Sequence, residues 1–226
     1  SYRVLYLDKL DLMNWKMSQM SVNMEICDGM NLVERAIKKG LDTIFALLGL
    51  GILSPVFLLV YILLKKQGDG PVLFRQERIG YKGKPFYILK FRTMRIDSEK
   101  DGKPCLAKKG DERLTPVGKF LREHHLDELP QLWNVFRGDM AFVGPRPERR
   151  YFIDLIRKEN PDYDYIYLMR PGLTSMATLY NGYTDSMQKM LIRLQMDLEY
   201  LQQRSLFLDV KIVLTTIVFI LKGKKF

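Results

Sequence analysis

The chain has 226 residues, 36 Lys plus Arg against 26 Asp plus Glu, and a formal charge of +10. That length allows one domain of ordinary size with an appendage and excludes two full cores, while 47% hydrophobic and 12% aromatic residues exclude a disordered chain. Cys27 and Cys105 lie far apart without a CxxC partner, which excludes a disulfide framework and a cysteine zinc site and makes a reducing compartment the simpler setting.

Residues 1–34 begin without Met and are Met-rich and mixed; they read as an N-terminal extension without an assignable role, and whether a longer N-terminus precedes them is left open. Ile44–Leu64 follows, 21 residues without a charge. As a straight helix it measures about 31 Å against a bilayer core of about 30 Å. It begins far into the chain and no small-residue cleavage pattern follows, so it is not a signal peptide. Pro55, beside Ser54 at its centre, removes a backbone donor and costs about 3 kcal/mol in a regular helix, so a bend is expected there. Arg35, Lys38 and Lys39 precede the run and Lys65, Lys66, Arg75 and Arg78 follow it, so charge favours neither end for export. Two readings stand on these signals. One is a straight span; the other is a helix–break–helix wedge that enters one leaflet and returns, with the Ser54 hydroxyl serving a backbone group freed at the break.

Val72–Arg78 and Phe86–Met94 have strand-like composition around the turn GYKGK, a hairpin. Pro104 and Gly110 bound a lysine-rich loop. From Lys65 to His125, 16 Lys/Arg meet 8 Asp/Glu, so this segment carries +8 of the total +10. A partner with phosphates is implied, whether nucleic acid, anionic lipid or nucleotide, with a solvated basic face as the plain alternative. Met187, Met190, Leu191, Leu194, Leu198 and Leu201 recur at helical spacing, and Lys189, Arg193, Asp197 and Glu199 fill the other face, which predicts an amphipathic helix. Ile212–Leu221 is apolar but too short to span, and KGKK follows it. It suits a helix in the membrane interface or a core helix with a basic tail.

The GxxxxGK[ST] phosphate loop, GxGxxG and a serine nucleophile elbow are absent from the sequence. His124 and His125 are adjacent, which points their side chains apart and denies them the one-turn spacing of a metal pair. The informative stretch is Arg113–Glu148. Leu129, Leu132, Val135 and Phe136 share a helical face, Pro130 suits a first turn and Gly138 a stop, so a short helix is expected to begin at about Asp127. Asp127 then occupies the cap and Glu128 the first turn, where capping is the plain role and the helix dipole favours ionised carboxylates. Lys90, Arg92, Arg113, Arg122 and Arg146 lie in segments that can converge on that helix start. Adjacent carboxylates can hold a hard divalent ion, and Mg²⁺ takes one or two carboxylates plus phosphate oxygens.

KFRTM (Lys90–Met94), LDELPQLWNVFRGDM (Leu126–Met140), VGPRPE (Val143–Glu148) and RPGLT (Arg170–Thr174) closely resemble the bacterial sugar transferase family, the monotopic phosphoglycosyl transferases. The similarity runs from about Arg35 to the C-terminus, with four motifs in the expected order. The resemblance implies a mostly α chain with a small β-hairpin (α+β). Residues 35–66 would form a re-entrant membrane helix broken at Ser54–Pro55, and residues 67–226 a cytoplasmic catalytic domain with interfacial C-terminal helices, on the cytoplasmic face of a bacterial inner membrane. The implied reaction moves a sugar phosphate from a UDP-sugar to polyprenol (undecaprenyl) phosphate and releases UMP.

By position, Asp127 resembles the nucleophile and Glu128 its partner, with Mg²⁺ at that pair and an aspartyl-phosphosugar intermediate. Arg146, between Pro145 and Pro147, resembles the loop residue that helps hold the nucleotide, Lys90 and Arg122 resemble phosphate contacts, and Arg92, Arg113, Pro145, Pro147 and Glu148 join them as substrate-binding candidates. Tyr183 stands where many relatives carry arginine. Inner-membrane lipids are implied partners, nucleic acid is not, and a homo-oligomer is left open. Two rivals are a non-catalytic basic module binding anionic lipid or a partner, and a tethered nucleic-acid binder using Phe86, Tyr87 and Phe91. Neither accounts for the acidic pair together with GPRPE.

Overall fold

The computed structural model describes residues 26–68, 70–95, 111–182 and 184–223. Residues 1–25, the lysine-rich loop with Cys105, Tyr183 and the last three residues lie outside them. Two helices come first, α1 (Leu32–Ile52) and α2 (Ser54–Lys66), followed by β1 (Leu73–Ile79) and β2 (Pro85–Phe91). Next come α3 (Pro116–Glu123), a 3₁₀ turn at Leu126–Glu128, α4 (Gln131–Arg137) and β3 (Ala141–Val143). The remainder is α5 (Arg150–Glu159), a 3₁₀ segment (Pro161–Leu168), β4 (Gly172–Thr174), α6 (Met176–Asn181), α7 (Met187–Gln203) and α8 (Leu206–Leu221). The described residues are mostly helical with a small antiparallel hairpin, as expected. A second sheet, β3 parallel to β4, was not foreseen; strands of three residues carry no alternation to read.

The long apolar run is two helices. α1 opens on a reciprocal cap, in which the Asn31 side chain accepts from the Glu34 amide and the Glu34 carboxylate from the Asn31 amide. α2 leaves it at 59°, and among the described residues no single helix is long and apolar enough to cross a bilayer. The straight-span reading is therefore corrected, for a local reason. Pro55 lies in the first turn of α2, where its missing N–H leaves no bond unmade. Ser54 Oγ donates to the Gly51 carbonyl at 2.8 Å, one of the groups the break frees.

Inward, α1 buries Lys38, Asp42 and Ala46 and packs along α4. Val60 and Leu64 of α2 join Val72, Phe91 and Leu121 in one apolar cluster. Outward, Ile52 at the end of α1 is 75% exposed and Leu58 of α2 61%. β1 and β2 pair in register from Leu73 opposite Phe91 to Ile79 opposite Pro85. The other edge of β2 is closed by one side chain: Asn134 of α4 accepts from the Leu89 amide at 3.0 Å and donates to the Tyr87 carbonyl at 2.8 Å. This amide does what a neighbouring strand would do, and it is 2% exposed.

Two glycine contacts bring the sequence motifs together. A Cβ at Gly118 of α3 would stand 1.9 Å from the Thr93 carbonyl oxygen, so only glycine lets α3 lie on KFRTM. Gly144 and Gly172 touch backbone to backbone, where a Cβ on Gly172 would stand 2.2 Å from the Gly144 nitrogen. VGPRPE and RPGLT thus run side by side as β3 and β4 and their continuations.

The largest core holds α5, the 3₁₀ segment, α7 and α8 around Ile153, Ile156, Ile166, Leu194, Leu201 and Ile212. α7 has the predicted apolar stripe, but Asp197 is 3% exposed and the Arg193 side chain 13%. Both were expected on the polar face. α7 is packed by α5, α6 and the 3₁₀ segment, so more than one face is covered, which a single-stripe pattern does not anticipate. α8 begins earlier than read, at a Ser205 cap. Phe207 and Leu221 are each 81% exposed and only Asp209 and Ile212 of this helix are buried, so one edge of α8 packs on the core while its other apolar residues stay uncovered.

Candidate active site

The helix expected to start at Asp127 does not. His125 takes a left-handed conformation (φ 55°), Leu126–Glu128 form a single 3₁₀ turn, and α4 starts at Gln131 with Pro130 as its cap. Asp127 therefore caps nothing, and no side-chain bond is made at that turn's start. The Asp127 carboxylate lines the cleft, is 7% exposed, and receives no hydrogen bond or ion pair among the described residues. Burial pushes its carboxyl above the ordinary value, against the pull of Lys90 and with the push of Glu128. The extra stabilisation of the ionised form expected from a helix start is thus absent, and burial works against it.

Glu128 sits in the opposite electrostatic setting. Its Oε1 accepts from Lys90 Nζ at 2.6 Å and from Arg146 Nη2 at 3.2 Å. Burial alone would raise its pKa, but these two cations outweigh it and hold the carboxyl well below the usual range. The pair is split by environment, one carboxylate engaged by two cations and its neighbour unpartnered.

The other predicted residues surround this pair in one cleft of about 1180 Å³, which Lys90, Arg92, Arg113, Arg122, Arg146 and Glu148 all line. Arg122 Nε donates to Thr93 Oγ1 at 3.0 Å and acts on Asp127 through space. Arg92 Nη2 reaches the Gly68 carbonyl at 3.4 Å, and Arg113 Nε reaches Asp111 Oδ1 at 2.8 Å. Pro145 and Pro147 act through their carbonyls: Pro145 accepts from the Gly172 amide at 2.9 Å and Pro147 from Arg78 Nη1 at 3.1 Å. Ser54 and Pro55 are at the α1–α2 break, outside the cleft lining; Leu53 and Gly49 beside them are within it.

Several site-supporting residues were not predicted. Arg78 and Arg193 share Glu148, at 3.4 Å to its Oε2 and 3.0 Å to its Oε1. Asp42 of α1 accepts from Arg170 Nη2 at 3.1 Å and stands 3.6 Å from Lys38, which also pairs with Asp209 of α8. That cluster ties α1 to RPGLT and α8. The i,i+4 spacing of Lys38 and Asp42 was the available signal for Asp42; for Arg193 there was none.

No group of three or more His, Cys, Asp or Glu side chains that could cage a metal occurs among the described residues. Mg²⁺ does not need one, since it binds one or two carboxylates plus phosphate oxygens and water. Asp127, buried and unpartnered, fits that requirement; Glu128 beside it is engaged through Oε1.

A buried carboxylate in a basic cleft, carried by a mostly helical α+β chain beside a bent apolar helix pair, is an arrangement whose charge suits phosphorylated ligands. More particularly, the chain belongs to the bacterial sugar transferase family, which it matches over residues 33–223. It is 42% identical over 187 residues to UDP-N-acetylgalactosamine-undecaprenyl-phosphate N-acetylgalactosaminephosphotransferase of Aeromonas hydrophila, covering 83% of this chain and 44% of that protein. It is 43% identical over 183 residues to UDP-glucose:undecaprenyl-phosphate glucose-1-phosphate transferase of Caulobacter vibrioides, covering 80% and 68%. The Escherichia coli protein of the same name is 40% identical over 187 residues, covering 82% of this chain and 40% of its own length. The chain thus spans less than half of two of these relatives.

Proposed function

We propose that this chain moves a sugar 1-phosphate from a UDP-sugar to undecaprenyl phosphate, releasing UMP, through a covalent intermediate on Asp127. The observation that carries the reading is the Asp127 carboxylate, buried and unpartnered beside a Glu128 already engaged by Lys90 and Arg146. The relatives' names, which pair a sugar phosphate with undecaprenyl phosphate, support the substrate classes.

In the first step an Asp127 Oδ bonds to the β-phosphorus of the UDP-sugar, the bond from that phosphorus to the bridging oxygen breaks, and UMP leaves with that oxygen. In the second, a phosphate oxygen of undecaprenyl phosphate attacks the same phosphorus and breaks its bond to Asp127, giving an undecaprenyl diphosphate sugar. One hard transfer becomes two easier ones, with ping-pong kinetics. A carboxylate approaching a diphosphate is repelled by about 4 kcal/mol per pair of unit charges at 4 Å and an effective dielectric near 20. Lys90, Arg122 and Arg146 oppose that repulsion. Mg²⁺, held by Asp127 with Glu128 at its side, would neutralise phosphate oxygens as a Lewis acid. The cleft exceeds the roughly 300–1,000 Å³ of ordinary small-molecule sites, room for a nucleotide sugar and a lipid phosphate in turn.

The α1–α2 pair enters one leaflet as a wedge and the exposed face of α8 lies in the interface, on the cytoplasmic side of a bacterial inner membrane, with its lipids as partners. The exposed apolar residues of these helices support this placement. The test is a UMP-release screen of a UDP-sugar panel with undecaprenyl phosphate and Mg²⁺, with acid-quenched samples lacking acceptor. Release with one sugar and a phosphosugar adduct on Asp127 is the expected result. Turnover without any adduct overturns the covalent step; no release, with retained binding to anionic vesicles, favours the non-catalytic surface module instead.

A further inference from the structure

Behind the loop that presents Arg146 lies a charge cluster that the proposed chemistry does not use. Glu148 accepts from both Arg193 and Arg78, and its carbonyl accepts from the Ile79 amide at 3.2 Å. One carboxylate thus serves two guanidinium groups in a buried place. Asp197 stands one turn along α7 from Arg193, is 3% exposed, and has no hydrogen bond or ion pair among the described residues. Its Oδ1 and the Nε of Arg193 are both buried without a partner. Both residues border a cavity of about 20 Å³, which Arg146 and Glu148 also border. A cavity of more than about 10–15 Å³ with polar partners holds one water.

We propose that Asp197 is a positioning residue for the 144–148 loop: a water in this cavity joins Asp197 Oδ1 to Arg193 Nε, and Arg193 through Glu148 fixes the loop that carries Arg146. The proposal rests on the reading of Arg146 as a nucleotide contact. Leaving a carboxylate unpartnered in an apolar wall is costly, and here burial pushes the Asp197 carboxyl up to about 7, with Arg193 opposing. A bridged arginine returns something for that cost: its guanidinium is held at both ends, by Glu148 and by the water, and cannot swing away from the loop.

The test compares the full chain with Asp197→Asn, Asp197→Leu, Arg193→Met and the last two combined. It reads UDP affinity by calorimetry, steady-state kinetics, and amide exchange over residues 143–149. Asp197→Leu and Arg193→Met should weaken UDP binding about tenfold and raise KM alike with kcat within about threefold, and the double variant should be no worse than Arg193→Met alone. Asp197→Asn, which keeps Oδ1, should restore near-native affinity, and exchange in the loop should rise only in the weakened variants. Unchanged loop exchange in folded Asp197→Leu, or additive losses in the double variant, overturns the proposal. If Asp197→Leu does not fold, native loop exchange in Arg193→Met overturns it. Failure of the native chain to bind UDP would sink the nucleotide reading instead, while the exchange comparison still decides the link from Asp197 to the loop.

Discussion

Asp127 and Glu128 are neighbours in sequence with opposite surroundings, and the difference between them sets what each substitution should do. Asp127→Asn removes the attacking oxygen's charge while keeping its shape, and UMP release should fall by at least about a thousandfold. Because burial of the Asp127 charge is unfavourable and nothing among the described residues bonds it, the same variant should melt no lower than the native chain. Normal turnover of UDP-sugar by purified Asp127→Asn would show that another group attacks. The sequence made this pair visible through LDEL and its basic company, yet placed Asp127 at a helix cap. Helix boundaries drawn from Pro130 and an apolar stripe cannot show that His125 turns left-handed and spends Leu126–Glu128 on a 3₁₀ turn. Arg193 was assigned to solvent for a similar reason: its partner, Glu148, lies 45 residues away, and helical periodicity carries no information at that range.

Among the elements, β2 depends on a side chain from α4. Asn134→Leu would strip the Leu89 amide and Tyr87 carbonyl of their partners in a buried place, and should cost about 2–4 kcal/mol in urea unfolding with the hairpin exchanging first. A loss under about 0.5 kcal/mol would mean the edge is satisfied otherwise. α7 gives a pH prediction. Burial raises Asp197 from 3.8 to about 7, against Arg193 and with Glu148, and raises Glu199 from 4.5 to about 7. Groups raised in the folded state contribute stability that is complete below the unfolded value and lost as pH climbs through the folded one. The urea midpoint of Asp197→Asn relative to the native chain should therefore rise between pH 5 and pH 8; a constant difference would refute the shift at Asp197. The hairpin, α7 and the broken run at Pro55 were legible because each repeats a local pattern of composition or periodicity. The β3–β4 pair was not, since it joins two three-residue strands through the close approach of Gly144 and Gly172, a contact that exists only once the chain has folded.

At the scale of the molecule, the +10 charge and the exposed apolar helices have to be satisfied together, and the proposed wedge does so through the 59° bend. α2 has 13 residues, about 20 Å at 1.5 Å per residue. With the two arms inclined equally to the surface, a 59° bend tilts each by about 30°, so the shorter arm carries the break to a depth of about 10 Å. That is within one half of a bilayer core about 30 Å thick. In the proposed wedge Lys65 and Lys66 come back to the side on which Arg35 and Lys39 begin, where all four can meet headgroups without any charge crossing. The prediction is that Val33→Cys and Lys66→Cys, each in a Cys27→Ser/Cys105→Ser background, are shielded from an impermeant maleimide in intact cells. Both should be labelled in inverted vesicles. Labels on opposite sides would establish a broken span of the two bent arms and overturn the wedge. A cleft bordered by both α1 and the Glu128 cations would then no longer face the lipid phosphate that the proposed second step requires.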